Sequence, residues 1–261
     1  MANKKLKEAA KALKHAKSVL LTCHERPDGD ALGSSLGIAA ALKAAGKKAV
    51  VVNPSGVQPN LMYLPGAKSV KTSIPKGKFD LAITTDSGDI SRMGWDLGEL
   101  RSSGRVGAIL NLDHHKDNTR FGDLNYIDLK SSSSAEVAYD VIKAAKLPVN
   151  KKVALNLYTG IVTDTGSFRY SNTTDKTMRV ATDLMSFGIN PFVVTEALEM
   201  SWPAERVAVI GAVLSTLETG KRGAWASVTA DRKTMLAHGD RYDLLDEIVN
   251  FPRSIGSVEV A

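Results

Sequence analysis

The stretch His24-Glu25-Arg26-Pro27-Asp28-Gly29-Asp30-Ala31-Leu32-Gly33-Ser34 decides how this chain is read. It follows the apolar run Ser18-Val19-Leu20-Leu21-Thr22-Cys23 and leads into an alanine-rich segment that closes at Ala45 and Gly46. A continuous apolar run of this kind is a strand buried on both faces. The alanine-rich segment reads as a helix from about Asp30 to Ala45, with Gly46 at its C-terminal cap. One imidazole and two carboxylates are thereby packed into a strand-to-helix turn, where all three can point at a single spot. The turn is half of a metal site and calls for a complement elsewhere in the chain.

Working outward, Lys48 to Asn53 and Phe79 to Asp86 read as further strands, with loops marked by Pro54-Ser55-Gly56 and Pro65-Gly66 between them. The strand Val106 to Leu112 runs straight into Asp113-His114-His115. Ahead of the first strand, Leu6, Ala9, Ala10, Leu13 and Ala16 recur at helical spacing among lysines and predict an amphipathic packing helix. Apolar strands separated by helices argue for an α/β fold, a parallel sheet with helices on both faces. Ligand-bearing residues of such sheets sit at the C-terminal ends of strands. The clusters at His24 to Asp30, at Asp86 and at Asp113 to His115 each fall just past a strand end.

Ser134 or a neighbouring serine caps a helix over Ala135 to Ala145. The next helix, from about Val149, carries Leu155, Tyr158 and Ile161 and ends at Thr163-Asp164-Thr165-Gly166. Thr173-Thr174-Asp175 caps a helix from about Lys176 to Phe187, which Gly188 closes. Gly188-Ile189-Asn190-Pro191 is the expected domain boundary. Beyond it a smaller α/β region is expected: a helix from Pro203 to Leu217, a strand Ala224 to Val228, a helix Tyr242 to Val249 and the start of a strand at Ser257 to Ala261. Lys221-Arg222 reads as a solvated hairpin turn.

The composition is that of a soluble globular chain: 261 residues, 43% hydrophobic and 6% aromatic. The formal charge of +6 favours anionic partners such as phosphates or nucleic acid without naming one. Cys23 is the only cysteine, so no internal disulfide forms, which suits a reducing compartment. The charged N-terminus has no signal-peptide pattern, and no run reaches the 18 or so apolar residues that span a bilayer. The cytoplasm is the expected location, with no membrane partner.

Collected together, the strand-end and helix-end residues are His24, Asp28, Asp30, Asp86, Asp113, His114, His115 and Asp164. Taken singly, Asp86 or Asp164 is most simply a helix cap and a histidine pair a surface feature. Jointly they are too many converging carboxylates to coexist without cations. Oxygen and imidazole donors without a thiolate cluster point to Mn²⁺, with Mg²⁺, Co²⁺ or Zn²⁺ as alternatives. There are too many ligands for one ion, and two ions about 3.5–4 Å apart sharing a carboxylate are a common arrangement for phosphoryl chemistry. Strand alternation turns Cys23 away from His24, so it reads as a buried structural thiol. His15 and His238 read as solvated, and Asp123, Asp128 and Asp175 as turn or cap residues.

These motifs, in order His24-x-x-Pro27-Asp28-x-Asp30-Ala31-x-Gly33-Ser34, Thr85-Asp86-Ser87-Gly88, Asp113-His114-His115 and Thr159-Gly160-Ile161-Val162-Thr163-Asp164-Thr165-Gly166, resemble those of the DHH phosphoesterases. The likeness covers roughly residues 17 to 190 and is nearest to the branch with oligoribonuclease and 3'-phosphoadenosine-5'-phosphate phosphatase activity. RecJ-type exonucleases and family II pyrophosphatases share the catalytic layout. The resemblance implies a DHH catalytic domain over 1–188, then a linker and partial substrate-binding (DHHA1) domain over 189–261. It implies that His24, Asp28 and Asp86 hold one metal, and that Asp30, Asp86, His114 and Asp164 hold the other, with Asp86 bridging. His115 would meet the substrate phosphate, Asp113 would orient its neighbours, and Arg92 would be a further phosphate contact. The family's C-terminal domain carries a glycine-rich motif that grips the far end of the substrate. No such run occurs before Ala261, so that domain is expected to be incomplete, with consequences for substrate affinity.

The expected function is therefore metal-dependent hydrolysis of short RNA or DNA oligonucleotides, linear dinucleotides or nucleotide bisphosphates, by in-line attack of hydroxide generated between two ions. A homodimer is compatible with it. The rivals are an inorganic pyrophosphatase and a non-catalytic nucleic-acid-binding module. The second is disfavoured by the scarcity of aromatic pairs for base stacking.

Overall fold

The computed structural model describes residues 2–245 and 248–261. The chain divides into two compact units, the first ending at Ala197 and the second spanning Leu198–Ala261.

The first unit opens with α1 (Ala2–His15), β1 (Ser18–Cys23), α2 (Gly29–Ala44) and β2 (Lys48–Val51). It continues through β3 (Leu81–Thr85), α3 (Leu97–Ser102), β4 (Ile109–Asp113), β5 (Leu124–Ile127), α4 (Ser134–Ala144), α5 (Lys151–Asp164), α6 (Asp175–Met185) and the short α7 (Pro191–Thr195). The five strands form one parallel sheet in the order β2-β1-β3-β4-β5. Leu20, Ala82 and Ile109, register partners across β1, β3 and β4, pack with Met93, Leu97 and Leu100 on one face of the sheet. On the other side α2 lies against β1, β2 and β3, and α4 against β4. The expected parallel α/β sheet is thus observed.

The strands are shorter than the apolar runs. Val52 and Phe79 pair only through isolated bridges, to Lys71 and Val106, because the sheet frays where the loops depart. Strand β5 had no counterpart in the sequence reading. It is a half-exposed edge strand of four residues, Leu124-Asn125-Tyr126-Ile127, which lacks a continuous apolar run. Nearly every residue of α2 is buried, because α2 is enclosed by the sheet, α4 and α5. Its closest approach is to α5. A Cβ on Gly33 would lie 2.4 Å from the Asn156 carbonyl oxygen, and one on Gly160 would lie 2.7 Å from Asp30 Oδ1. Glycine at these two positions lets the two helix backbones touch.

The second unit contains α8 (Ala204–Leu214), the two-residue strands β6 (Glu218–Thr219) and β7 (Ala226–Ser227), α9 (Arg232–Ala237) and α10 (Asn250–Arg253). Val209 and Val213 of α8 pack with Met235 and Leu244 in its small core. β6 and β7 pair antiparallel around the Lys221–Gly223 turn. The expected helix over Tyr242 to Val249 is instead a 3₁₀ turn over Tyr242–Leu245. Its positions 246 and 247 lie outside the described residues. The expected terminal strand is reduced to one bridge, Trp225 with Val260.

Candidate metal centre

Each polar residue is delivered by an element end. β1 releases the chain at His24, and the side-chain amide of Asn53, just past β2, donates to the His24 carbonyl at 2.8 Å. Asp28 caps α2, its Oδ1 accepting from the N–H groups of Asp30 at 3.0 Å and Ala31 at 2.9 Å. Asp86 directly follows β3 in the left-handed region, at φ 55. For a non-glycine residue that conformation costs on the order of 1 kcal/mol. Its N–H still donates to the Leu112 carbonyl at 3.1 Å, which places its side chain beside β4. β4 ends in Asp113, and α5 ends in Asp164. A carboxylate at a helix C-terminus opposes the helix dipole, whereas a cation there would be favoured.

The structure brings all eight sequence-predicted strand-end and helix-end residues into one cluster. Three groups of donor atoms each lie within 4.8 Å of one another: His24, Asp28 and Asp86; Asp30, His114 and Asp164; and Asp86 with Asp113, His114 and His115. Asp86 Oδ2 lies 3.5 Å from His24 Nε2, and Asp86 Oδ1 lies 3.7 Å from both His114 Nε2 and His115 Nδ1. His114 Nε2 is also 3.5 Å from Asp164 Oδ2.

These separations suit ligands of a shared ion. Two donors each bonded to a cation at about 2.1 Å stand roughly 3–3.6 Å apart. His114 Nε2 is buried and has no hydrogen-bond partner among the described residues. A buried orphan nitrogen costs free energy unless something fills its lone pair. His24 is poised in the same way. Its Nδ1 is 2.7 Å from the Glu25 carbonyl, which can only accept, so Nδ1 keeps a proton and Nε2 is the nitrogen that faces Asp86 and that a cation would take in place of a proton. The residues present therefore fit divalent cations.

Asp113 differs from the others in what engages it, because its oxygens serve the histidine pair and Asn118. Oδ1 accepts from the His114 N–H at 2.8 Å and from His115 Nδ1 at 2.7 Å, while Oδ2 accepts from Asn118 at 2.6 Å. That pattern orients histidines rather than offering a free ligand.

Crowding sets the electrostatics of the cluster. Burial, and then the nearby Asp86 and Asp28 charges, push the Asp164 carboxyl up to about 7. Burial and the Asp86 charge likewise raise Asp30 well above the usual carboxylate range, and Asp28 is raised for the same reasons. Asp86 moves the other way. Burial opposes its charge, but His24, His115 and His114 outweigh burial and hold the carboxyl below its ordinary value. Negative charge is thus favoured on Asp86, and on Asp113, where hydrogen bonds from His115 and Asn118 outweigh burial, and disfavoured on Asp28, Asp30 and Asp164. The hydrogen bond to Asp113 lifts His115 to about 9, while burial lowers His114.

Arg92 sits in the 3₁₀ turn Ile90–Met93. Its carbonyl accepts from the Glu25 N–H at 2.8 Å, and its guanidinium is exposed and bonds to none of the clustered residues among those described. Cys23 is buried, with its thiol pushed up to about 12 by burial, and stands 3.5 Å from the Asn53 amide. The sequence reading missed Asn118 and Ser134. Ser134, the first residue of α4, donates its N–H to Asp30 Oδ2 at 2.6 Å and its hydroxyl to Asp86 Oδ1 at 3.0 Å. The only signal for it was the run of four serines at 131–134, which reads as a helix cap.

Comparison with known proteins agrees with this geometry. The chain is 34% identical over 218 residues to the bifunctional oligoribonuclease and PAP phosphatase NrnA of Thermus thermophilus, covering 82% of this chain and 63% of that protein. It is 27% identical to the protein of the same name from Bacillus subtilis, covering 92% of this chain and 75% of the relative. The chain thus spans less than two thirds of the Thermus relative. An exopolyphosphatase-related protein from Bacteroides fragilis superposes with a TM-score of 0.89 at 23% identity, over 98% of this chain and 77% of that one, a likeness of fold. Residues 18–161, more than half of the chain, match the DHH family, N-terminal domain. Four motifs in family order, meeting at the C-terminal edge of a parallel sheet within that matched span and just beyond it, make this chain a member of the DHH family.

Proposed function

We propose that this chain is a metal-dependent phosphoesterase that hydrolyses short oligonucleotides, linear dinucleotides and 3'-phosphoadenosine-5'-phosphate. The observation that carries the reading is the shared carboxylate: Asp86 alone faces His24, His114 and His115 while staying charged. His24, Asp28 and Asp86 would hold one ion, and Asp30, Asp86, His114 and Asp164 would hold the other. Mn²⁺ suits this set of oxygen and imidazole donors, and Mg²⁺, Co²⁺ and Zn²⁺ are the alternatives. When bound, such ions neutralise phosphate charge and lower the pKa of water.

The protein's own groups then position the substrate. Asp113 Oδ1 accepts from His115 Nδ1–H, and in the imidazolium form the Nε2–H is left to donate to a phosphate oxygen. The hydrogen bond to Asp113 raises that ring to about 9 in the metal-free protein, which favours the charged form that a phosphate would meet. The exposed guanidinium of Arg92 is assigned as a second phosphate contact, able to engage two oxygens at once.

The test is turnover of a ribodinucleotide, of adenosine 3',5'-bisphosphate and of pyrophosphate with Mn²⁺, for the parent chain and Asp86→Ala. Hydrolysis of the first two that disappears in the variant supports the reading. Pyrophosphate as the only substrate, or undiminished turnover by Asp86→Ala, would refute it.

A further inference from the structure

Ser134 touches two of the proposed ligands without being one itself. Ser134 is fully buried and sits within reach of three carboxylates. Besides the contacts to Asp30 and Asp86, its hydroxyl lies 3.5 Å from Asp113 Oδ1, and the next N–H, of Ala135, donates to Asp30 Oδ1 at 2.8 Å. Both oxygens of Asp30 are therefore fixed by the first turn of α4, and one oxygen of Asp86 by the Ser134 hydroxyl.

The turn that presents Ser134 is itself anchored from behind. Glu136 is fully buried, and its Oε2 accepts from the Ser132 N–H at 3.2 Å, the Ser132 hydroxyl at 2.8 Å and the Thr177 hydroxyl at 2.9 Å. Its Oε1 faces Lys176 Nζ at 3.0 Å, and that ammonium also meets Asp140 at 2.7 Å. Ser133 accepts from the Glu136 N–H at 3.1 Å and closes the helix cap. A buried carboxylate is retained only where it is paired and hydrogen-bonded, and this one ties the serine turn to the start of α6.

We infer that Ser134 is the positioning residue of the metal centre, holding Asp30 and Asp86 at the spacing two ions require, with Glu136 and Lys176 fixing Ser134 in place. The inference rests on the two-ion reading above. Orientation of a ligating carboxylate by an outer hydrogen bond is worth about 10–100-fold in metal affinity. The hydroxyl of Ser134 does this for Asp86, and its N–H and that of Ala135 do it for Asp30.

The experiment is calorimetric titration of MnCl₂ into the metal-free full chain, with thermal melts in EDTA to establish folding. Ser134→Ala removes the hydroxyl and keeps the N–H, and affinity is expected to fall about tenfold or more. Ser133→Ala removes the neighbouring cap hydroxyl, which touches no ligand, and is expected to lower the melting point while leaving affinity within about threefold. Glu136→Gln, which spares every ligand and Ser134, is expected to weaken binding by a smaller factor. It decides the matter alone should Ser134→Ala not fold. Unchanged affinity in Ser134→Ala, or equal losses in the Ser133 and Ser134 variants, overturns the inference; so does unchanged affinity in Glu136→Gln where that variant stands alone. Asp86→Asn separates the two levels. If it abolishes binding while Ser134→Ala does not weaken it, only the positioning role falls, and if it binds as the parent does, the two-ion reading falls and takes this role with it.

Discussion

Gly33→Ala tests how the two ligand-bearing helices are held together. The new methyl carbon would meet the Asn156 carbonyl oxygen at 2.4 Å and the Gly160 nitrogen at 3.2 Å. The first contact is about 1 Å short of ordinary van der Waals separation. Both neighbours are α5 backbone, so no side chain can rotate away. Nor can α5 tilt locally, because Gly160 lies against Asp30 and Ala135 on its other contacts. Overpacking of this kind costs about 3 kcal/mol, and alanine returns up to about 1 kcal/mol of helix propensity, for a net loss of about 2 kcal/mol. For a unit of this size that is a fall in melting temperature of about 4–8 °C.

The same displacement moves Asp164 relative to Asp30, so Mn²⁺ affinity is expected to fall with stability. Gly37→Ala is the comparison. Its new carbon would meet Leu157 Cδ2 at 2.6 Å and Cγ at 2.9 Å, a buried side chain that can shift where backbone cannot, so the expected cost is about 1 kcal/mol less than for Gly33→Ala. Urea denaturation in EDTA gives the stabilities and calorimetry the affinities. A Gly33→Ala protein as stable as the parent, binding Mn²⁺ equally well, would refute the backbone contact between α2 and α5.

Asp164→Asn addresses the charge crowding in metal-free protein. Folding raises this carboxyl from 3.8 to about 7, so its contribution to stability is present at low pH and is lost as pH rises through 7. Asparagine mimics the protonated form, so the variant should match the parent near pH 4 and exceed it at pH 8, by about 1–2 kcal/mol once the solvent-screened, 30% exposed side chain is discounted; equal melting curves at pH 8 would contradict the crowding. Mn²⁺ at a hundredfold excess over its dissociation constant should add about 2.7 kcal/mol, a melting point higher by roughly 5–10 °C than in EDTA, and an Asp86→Asn protein should not respond. Cys23, buried and with its thiol raised to about 12, should resist a disulfide reagent at pH 8 until the protein is unfolded, and prompt labelling of the native chain would show that β1 is not covered.

Much of the fold was legible because the strands of a doubly covered parallel sheet must be apolar throughout, as Val19-Leu20-Leu21 and Leu81-Ala82-Ile83 are. Polar residues directly after such runs have one place to be, the C-terminal edge of the sheet. That is why His24, Asp86 and Asp113 could be grouped before any coordinates. β5 escaped because an edge strand with one solvated side needs no such run. The 3₁₀ turn at Tyr242–Leu245 stands where a helix was expected, and among the described residues there Leu244 is buried in the core of the small unit while Leu245 and Ile248 are only partly buried against it, a weak drive for regular helix.

By itself, then, the order of residues determined the α/β class and the identity of the converging donors, since both come from hydrophobic pattern and strand ends. Only the tertiary structure decided which partners each donor meets. Asp113 and Asp86 stand alike in the sequence, each at the end of a strand. Asp113 has its oxygens taken by His114, His115 and Asn118, while Asp86 is left in a left-handed turn facing three imidazoles and fixed by Ser134. The partners of Asp113 are close neighbours in sequence, whereas those of Asp86 come from elements far along the chain, and a contact between distant segments is set by packing, which no local pattern of residues encodes.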